Sequence, residues 1–380
     1  MQERLEGAPG GAKRGTFGRA GKVLACVGAA ALLLAACSSS KPSSTTSSSS
    51  TTPSTASSSS SSTSSSTSSY TFAFVPKLIG IPYFTSMQVG MEQAAKRFGA
   101  HFIYEGPTTA SVSQQAEYVT TLLSNPKVDA VGVSANSPTA LCSLVNEAKS
   151  KHVIFFASDS DVSCANNDLW VEQARAKGIG DLAVQLLGEQ IASIEHTTTP
   201  TGDVAIISAG SSATNLNDWI GFMKTELATK YPKLHLLPID YAGESPTESE
   251  TIASRYLASY PDLKGFIGVA STNVPGIAQA VLAAGDKGKV AVTGETDPNT
   301  IRTYVDDGVV KDVVLWNPTT LGYLAGWAVI QMLKDHGGYP FKAVNTVPGI
   351  SNPIKWYPSR KMLLLGPPLV INKSNINLNF

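Results

Sequence analysis

The sequence lacks most of the residue patterns that assign a chain to a metalloprotein or nucleic-acid-binding class. Among its 380 residues are only four cysteines and five histidines, with no CxxC, HExxH or paired-histidine spacing. We therefore expect no metal site and no cofactor. Its 29 basic residues equal its 29 acidic residues, and no block of either sign occurs. Because phosphate binding needs a basic face, this balance argues against a nucleic-acid partner.

Motifs for catalysis are missing as well. No serine, cysteine or histidine stands in a pattern for nucleophilic catalysis. The segment 75–84, which follows the first predicted strand, contains neither GxGxxG nor GK[ST], which argues against a nucleotide-binding or dehydrogenase function. We therefore predict a binding protein and no enzyme. An enzyme on a similar scaffold is the alternative, because a fold does not determine function.

No apolar run near the amino terminus is long enough to cross a membrane. Four basic residues between positions 13 and 22 precede an apolar stretch, 23–34. That stretch is too short to cross a hydrocarbon core of about 30 Å. It ends in Leu34-Ala35-Ala36-Cys37, which matches the lipobox of bacterial lipoproteins. We predict that residues 1–36 are a lipoprotein signal peptide and that Cys37 is lipidated; an ordinary secretory signal with a chance cysteine is the alternative.

Residues 37–69 consist, after the lipidated cysteine, almost entirely of serine and threonine. Such a segment has no apolar face to bury and cannot offset the entropy of ordering it. We expect a disordered tether that holds the folded part at the extracytoplasmic face of the cell membrane through the lipid anchor.

Two cysteines remain for the folded part, Cys142 and Cys164. Both lie just past the ends of consecutive predicted strands, in a compartment outside the reducing cytosol. We expect a disulfide between them. Two separate core cysteines are the alternative.

The rest of the chain alternates short β-branched runs with longer amphipathic runs. The predicted strands are 71–76, 101–104, 130–134, 153–157, 203–208, 234–240, 265–269, 290–294 and 313–316. The predicted helices are 85–98, 112–123, 139–151, 174–194, 217–230, 247–259, 275–284, 298–307 and 321–334. Strands that alternate with helices imply an α/β fold of parallel sheets, with ligands at the carboxyl ends of the strands. The chain from Tyr70 onward exceeds one typical core, so we expect two similar lobes with a cleft between them.

Several motifs in the same order resemble one known family. They are Phe74-Val75-Pro76-Lys77, Phe84-Thr85-Ser86, Tyr104-Glu105-Gly106-Pro107-Thr108, Ser134-Ala135-Asn136-Ser137-Pro138, Ser158-Asp159-Ser160-Asp161, Thr214-Asn215-Leu216-Asn217-Asp218-Trp219, Val292-Thr293-Gly294, and Leu315-Trp316-Asn317-Pro318 followed by Leu321-Gly322-Tyr323. Together they resemble the type I sugar-binding proteins of ABC importers, and among these the rhamnose-binding and autoinducer-2-binding branch. The resemblance covers residues 71–380.

This resemblance implies two doubly wound parallel-sheet lobes joined by a three-strand hinge that closes around the ligand. It places the hinge crossings near 159–161, near 316–318 and in the window 345–365. The amino-terminal lobe is then 70–160 plus about 317–355, and the carboxyl-terminal lobe is 161–316 plus about 356–380.

The same resemblance identifies candidate ligand-binding residues. Lys77 belongs to a motif whose lysine contacts ligand in the autoinducer-2-type proteins, and an ammonium offers three donors. Asp159 matches an aspartate that accepts two sugar hydroxyls, and its replacement by alanine is expected to abolish binding with little loss of stability. A surface lysine and a helix-capping or turn aspartate are the alternatives.

The other candidates lie at strand ends or near cleft loops. They are Phe84, Asn136, Asn215, Ser271, Thr296, Trp316 and Asn317. Amides both donate and accept, as a hydroxyl does, and aromatic faces pack against the C–H surface of a sugar. The alternatives are an Asx turn for Asn136 and core packing for the aromatic residues.

We therefore predict a monomer that captures a rhamnose-like deoxyhexose or a polyol and delivers it to an ABC importer permease. The alternative is an autoinducer-2-type sensory module that signals to a membrane partner. Where the autoinducer-2 proteins carry an Asp-Gln pair, this chain has Asn215-Leu216. Since leucine can neither donate nor accept a hydrogen bond, we expect weak or absent binding of autoinducer-2.

Overall fold

Strands and helices alternate along most of the chain in the computed structural model, which describes residues 69–378 and 380. The strands are β1 (Thr71–Val75), β2 (His101–Tyr104), β3 (Ala130–Val133), β4 (Ile154–Ser158), β5 (Leu169–Glu172), β6 (Gly202–Ser208), β7 (Leu234–Leu236), β8 (Asp240–Tyr241), β9 (Leu263–Gly268), β10 (Ala291–Gly294), β11 (Asp312–Leu315), β12 (Val344–Asn345), β13 (Ile354–Tyr357), β14 (Met362–Leu364) and β15 (Leu369–Asn372). The helices are α1 (Pro82–Phe98), α2 (Val112–Leu123), α3 (Cys142–Ser150), α4 (Ala176–Ile194), α5 (Thr214–Lys230), α6 (Pro246–Ser259), α7 (Asn273–Ala283), α8 (Pro298–Asp306) and α9 (Pro318–Lys334). The predicted signal peptide, Cys37 and the tether as far as residue 68 lie outside the described residues.

The predicted α/β class with parallel sheets is confirmed. Each predicted helix and strand has a counterpart, although the predicted strand 234–240 is two short strands, β7 and β8. Sequence analysis missed β5 and the four strands β12 to β15. These strands have two to four residues each, too few to show a clear period.

Eight strands form the sheet of the first lobe, in the order β12-β13-β14-β5-β4-β3-β1-β2. Alternate residues of β1 point to opposite faces, as the strand geometry requires. Phe72 and Phe74 pack in the same core as Met87 and Met91 of α1. Ala73 and Val75 pack instead in a second core, which includes residues of α2. Helices therefore cover both faces of this sheet.

The second lobe has a five-stranded sheet in which β10, β9, β6 and β7 lie side by side and β8 also pairs with β6. A Cβ at Gly265 would meet Leu187 of α4, whereas a Cβ at Gly268 would meet Val274 of α7. Positions three apart on a strand face opposite sides, so α4 and α7 cover opposite faces of the sheet.

Three passages of chain connect the two lobes. The first runs through residues 173–175, because β5 pairs with β4 and β14 in the first sheet before α4 packs in the second lobe. The second runs through residues 316–317, between β11 and α9. The third runs through residues 365–368, because β14 belongs to the first sheet and β15 pairs with β11.

Two hinge positions thus differ from the prediction. The first crossing was predicted at 159–161. That segment leads from β4 into a loop, and the next strand, β5, lies in the same sheet as β4. The third was placed in the window 345–365 with a lobe boundary near 355, but β13 and β14 both remain in the first lobe. In each case an unrecognised short strand extends the first lobe.

Helix starts are set by the residues that precede them. Pro246 and Pro318 occupy the first turns of α6 and α9, where a proline loses no helical hydrogen bond. The side chains of Ser245 and Asn317 accept hydrogen bonds from backbone N–H groups of the same first turns, at 3.1 Å and 2.8 Å. Among the described helices, none is long and apolar enough to cross a membrane.

Candidate functional site

A cavity of about 20 Å³ lies between the two lobes. Its walls come from strand ends and helix starts of both lobes, as expected for parallel sheets. The lining residues are Lys77, Ile81, Tyr83, Phe84, Asp159, Asn215, Leu216, Trp219, Glu244, Ala270, Ser271, Glu295 and Trp316. A buried water needs about 10 to 15 Å³, so the cavity as it stands has room for about one water, and a larger ligand requires the cleft to widen.

Asp159 lies at the centre of the polar network of this cavity. It follows β4, is buried, and has a φ of 70°, a left-handed conformation that aspartate adopts more readily than most residues. Its Oδ1 accepts hydrogen bonds from the side chains of Tyr83 (3.1 Å), Asn215 (3.1 Å) and Gln173 (3.4 Å). Its Oδ2 accepts a hydrogen bond from Ser134 Oγ (2.6 Å) and lies 3.6 Å from Lys77 Nζ.

Two side chains of this network connect the lobes. Lys77 Nζ, at the end of β1, donates to Asn215 Oδ1 at 2.9 Å, and the amide of Asn215 at the start of α5 donates back to Asp159. Ser212 Oγ of the second lobe also donates to the carbonyl of Asn136 in the first lobe, at 3.0 Å. The cleft is therefore closed by hydrogen bonds between the lobes.

Aromatic side chains form another part of the wall. Trp316 Nε1 donates to the hydroxyl of Tyr83 at 3.0 Å, and the two rings meet edge to face with centroids 6.0 Å apart. Trp219 also packs edge to face against Trp316, with ring centroids 5.5 Å apart. Burial above all, together with the nearby carboxyl groups of Asp159 and Glu295, raises the pKa of Tyr83 well above its ordinary value. Tyr83 therefore serves as a neutral hydrogen-bonding group.

Two glutamates that sequence reasoning missed also line the cavity. Glu244 follows β8 and accepts from Thr272 Oγ1 at 3.0 Å. Glu295 follows β10, and among the described residues its Oε1 has no hydrogen-bond partner. Burial raises the pKa of both carboxyls; Lys77 opposes the rise at both sites, and Asp297 adds to it at Glu295. The position of Glu295 directly after a strand was a signal that could have found it, whereas Glu244 lies three residues after β8.

Six of the nine predicted ligand-binding residues line the cavity. These are Lys77, Phe84, Asp159, Asn215, Ser271 and Trp316. Ligand contact by these six stays a prediction, since their position in the wall does not itself test it.

The structure places the other three predicted residues outside the cavity lining. The side-chain amide of Asn136 donates to the carbonyl of Lys77 at 2.9 Å, so it supports the loop that carries the lysine. Thr296 donates to the carbonyl of Ser271 at 2.7 Å. Asn317 caps α9 through its side chain. Each polar group therefore serves the backbone around the cavity.

Cys142 and Cys164 are joined by a disulfide in the structure, with Cα atoms 5.3 Å apart. Within the part of the chain that the structure describes, no group of three or more His, Cys, Asp and Glu side chains is placed to hold a metal ion.

A family model described as "Periplasmic binding protein domain" matches residues 72–337. The chain belongs to the periplasmic binding protein family. The family to which the sequence motifs pointed is thus confirmed, and membership makes the chain a binding protein rather than an enzyme.

Individual members of this family show a similar sequence or fold. The D-allose-binding periplasmic protein of Escherichia coli K12 is 25% identical over 253 residues, which are 66% of this chain and 80% of that protein. An ABC transporter solute-binding protein of Clostridium phytofermentas, solved with bound L-rhamnose, is 28% identical, with a TM-score of 0.73 over 81% of this chain and 97% of that one. LsrB of Clostridium saccharobutylicum, solved with AI-2, is 21% identical with a TM-score of 0.75 over 82% and 100% of the two chains, which shows a shared fold.

Proposed function

We propose that this chain is a lipid-anchored, monomeric solute-binding protein that captures a small sugar and delivers it to an ABC importer. Its ligand is a rhamnose-like deoxyhexose or a related polyol, held in the cavity between the lobes. The observation that carries the proposal is the cavity wall itself, which combines buried charged and amide side chains with aromatic rings. The relative with bound L-rhamnose supports the same ligand class.

The chemistry of the wall suits a polyhydroxylated molecule. Lys77 and Asn215 supply hydrogen-bond donors, whereas Glu244 and Glu295 supply carboxyl oxygens. Trp219 and Trp316 present apolar area that packs against the C–H surface of a sugar ring. Buried polar groups lose hydrogen bonds to water, so a ligand that lacks hydroxyls would leave them unpaired.

An apolar part of the wall favours a deoxy sugar. Ile81, Leu216 and Ala270 line the cavity beside the polar groups. A methyl group can rest against such side chains, whereas a hydroxyl at the same place would lose its hydrogen bonds to water without replacement. The same argument disfavours autoinducer-2, which would present a polar group to Leu216.

Titration calorimetry with a matched pair of sugars tests the ligand. L-rhamnose and L-mannose differ only by the hydroxyl at the sixth carbon, so the pair isolates the contribution of the apolar wall. We expect L-rhamnose to bind more tightly by about tenfold or more. Equal affinities would contradict the deoxyhexose assignment, and autoinducer-2 that binds more tightly than every sugar and polyol tested would favour the sensory alternative.

Delivery to an importer is tested in cells. A strain that lacks this chain should lose uptake of the labelled ligand, and expression of the full-length chain should restore it. Undiminished uptake in the deletion strain would contradict the importer role. The control is expression of the Asp159→Ala variant, which should fail to restore uptake even where immunoblotting shows it at the wild-type level.

A further inference from the structure

Glu295 is buried in the cavity wall with a hydrogen-bonding atom that no described residue satisfies. This residue directly follows β10 and is 6% exposed. It lines the same cavity as Asp159, Glu244 and Trp316. Its Oε1 has no hydrogen-bond partner among the residues that the structure describes. A buried polar atom without a partner destabilises a fold, so its position at a cavity points to a ligand group as the missing partner.

Three other acceptors of the wall, on Asp159, Asn215 and Tyr83, are already in use. Asp159 accepts from four side chains and pairs with the Lys77 ammonium. The Oδ1 of Asn215 accepts from Lys77 and from the N–H of Leu216. The hydroxyl of Tyr83 donates to Asp159 and accepts from Trp316. A ligand hydroxyl therefore finds a free oxygen at Glu295 without displacing a protein contact.

The charges around Glu295 are mostly negative. Asp297 on the following turn, Asp159 from the first lobe and Glu244 from the neighbouring loop all face it, and the hydroxyl of Tyr83 lies in the same wall. Lys77 is the cation that faces it, and this ammonium is hydrogen-bonded to Asn215 and paired with Asp159. A negative charge on Glu295 would therefore have little positive charge nearby to balance it.

We propose that Glu295 binds a ligand hydroxyl directly and does so as an uncharged carboxylic acid, so that ligand capture depends on a proton held at this side chain. This inference rests on the proposed function, because it assigns a role at the same site. An uncharged carboxyl has one O–H donor and a carbonyl acceptor, and a sugar hydroxyl can likewise donate and accept. The pair can therefore form hydrogen bonds in both directions without burying an unpaired charge.

The direction of the pKa shift agrees with this geometry. Burial first, and then the carboxylates of Asp297, Asp159 and Glu244, raise the pKa of Glu295 well above its ordinary value, and Lys77 opposes the rise only in part. The acid form thus persists at higher pH than for an exposed glutamate.

Binding as a function of pH tests the proposal. We choose L-rhamnose as the probe and calorimetry from about pH 5 to about pH 9, a range that keeps lysine charged and tyrosine neutral. In the wild-type protein, affinity should fall as pH rises through the pKa of the free protein, by up to about tenfold per pH unit, because the charged form must take up a proton to bind. Glu295→Gln should bind about as tightly as the wild type at low pH and should lose the part of the pH dependence that Glu295 contributes; a remainder is expected from Asp297, since burial raises the pKa of that carboxyl to about 7. An amide mimics the donor and acceptor of the acid and does not titrate.

Two further variants complete the experiment. Glu295→Ala should bind about tenfold to a hundredfold more weakly at every pH, because the hydroxyl loses its partner. Glu226→Gln is the matched control: this glutamate is also buried in the second lobe, where it accepts from Gln185 and does not line the cavity. It should keep both the affinity and the pH dependence of the wild type.

The outcomes separate this inference from the proposed function. If L-rhamnose and every other sugar fail to bind the wild-type protein, the proposed function fails. If a sugar binds and Glu295→Ala binds it equally well, contact by Glu295 is overturned. If Glu295→Gln binds much more weakly than the wild type at low pH, or keeps its full pH dependence, the uncharged form is overturned.

Discussion

At the scale of single residues, the surroundings of Asp159 determine what can be changed in the cavity. Its carboxylate joins Ser134, Gln173 and Asn215 to the buried ammonium of Lys77, and its backbone holds a φ of 70°. Removal of a partner from a buried ion pair leaves an uncompensated charge. The network therefore contributes to the stability of the lobe as well as to the cavity.

Asp159→Ala should consequently abolish ligand binding and also destabilise the fold. We expect the free energy of unfolding to fall by about 3 to 5 kcal/mol, because the Lys77 ammonium stays buried without its counter-charge. This differs from the small stability loss expected from the sequence, which did not show the five protein groups around the carboxylate. Urea unfolding measures the change, with the exposed Asp306→Ala as the control. An unchanged midpoint for Asp159→Ala would contradict this account.

At the scale of helices, α1 and α9 cross closely. Because α9 follows the second passage between the lobes, this crossing fixes α9 to the first lobe. A Cβ at Gly322 of α9 would lie 2.0 Å from the carbonyl oxygen of Met87, and a Cβ at Gly90 of α1 would lie 1.9 Å from that of Thr319. Only glycine lets the two backbones approach so closely. Since α9 starts directly after residues 316–317, this contact also positions Trp316 in the cavity wall.

Gly322→Ala should therefore separate the two helices and lower the free energy of unfolding by about 1 to 3 kcal/mol. Gly221→Ala is the matched control, because Gly221 is also helical but a Cβ there meets nothing within 4 Å. That control should gain up to about 1 kcal/mol from helix propensity. Chemical denaturation of both variants measures the two effects, and equal stability of the two would contradict the close crossing.

The disulfide acts at the scale of one loop. It joins the first residue of α3, Cys142, to Cys164 in the loop before β5, across a separation of 22 residues. We expect bridged cysteines in exported protein and a loss of about 3 kcal/mol when both are replaced by serine, since the bridge restricts the unfolded chain. Thiol labelling of denatured, unreduced protein checks the bridge. Two labelled thiols in this folded part would contradict it.

At the scale of the whole molecule, the sequence predicts attachment to a membrane. Replacement of Cys37 by serine should move the protein from the membrane fraction to the soluble or secreted fraction, because the thiol that accepts the lipid is lost. Fractionation followed by immunoblotting measures the distribution. The Cys26→Ser variant, in the predicted signal peptide, is the control and should remain with the membrane. Unchanged membrane association of Cys37→Ser would contradict the anchor.

Local sequence patterns located the regular elements well. Helices such as α2 and α4 have long amphipathic runs, and strands such as β1 and β4 have apolar runs between turn residues. Where elements are short, the pattern is too weak to detect. The strand β5 is one example: it returns the chain to the first sheet, so the chain crosses at 173–175 and not at 159–161, where the family resemblance placed the crossing.

The cavity could be predicted only in part. Lys77 and Asp159 follow strands and belong to recognisable motifs, so the sequence pointed to them. The motif residues Asn136 and Asn317 were also selected; their side chains bond to the carbonyl of Lys77 and to the first turn of α9, and ligand contact by them stays a prediction. No local pattern distinguishes a strand-end amide that faces a cleft from one that caps a helix.

By itself, the sequence determined the α/β class, the succession of helices and strands, and the family to which the chain belongs, because each depends on periodicity or on motifs within short segments. Tertiary structure alone decided where the chain crosses between the lobes, and which polar groups meet in the cavity. It brings Lys77 and Asn215, 138 positions apart, to 2.9 Å, and it leaves Glu295 without a protein partner. Such relations arise from packing between distant segments, and a one-dimensional pattern carries no record of them.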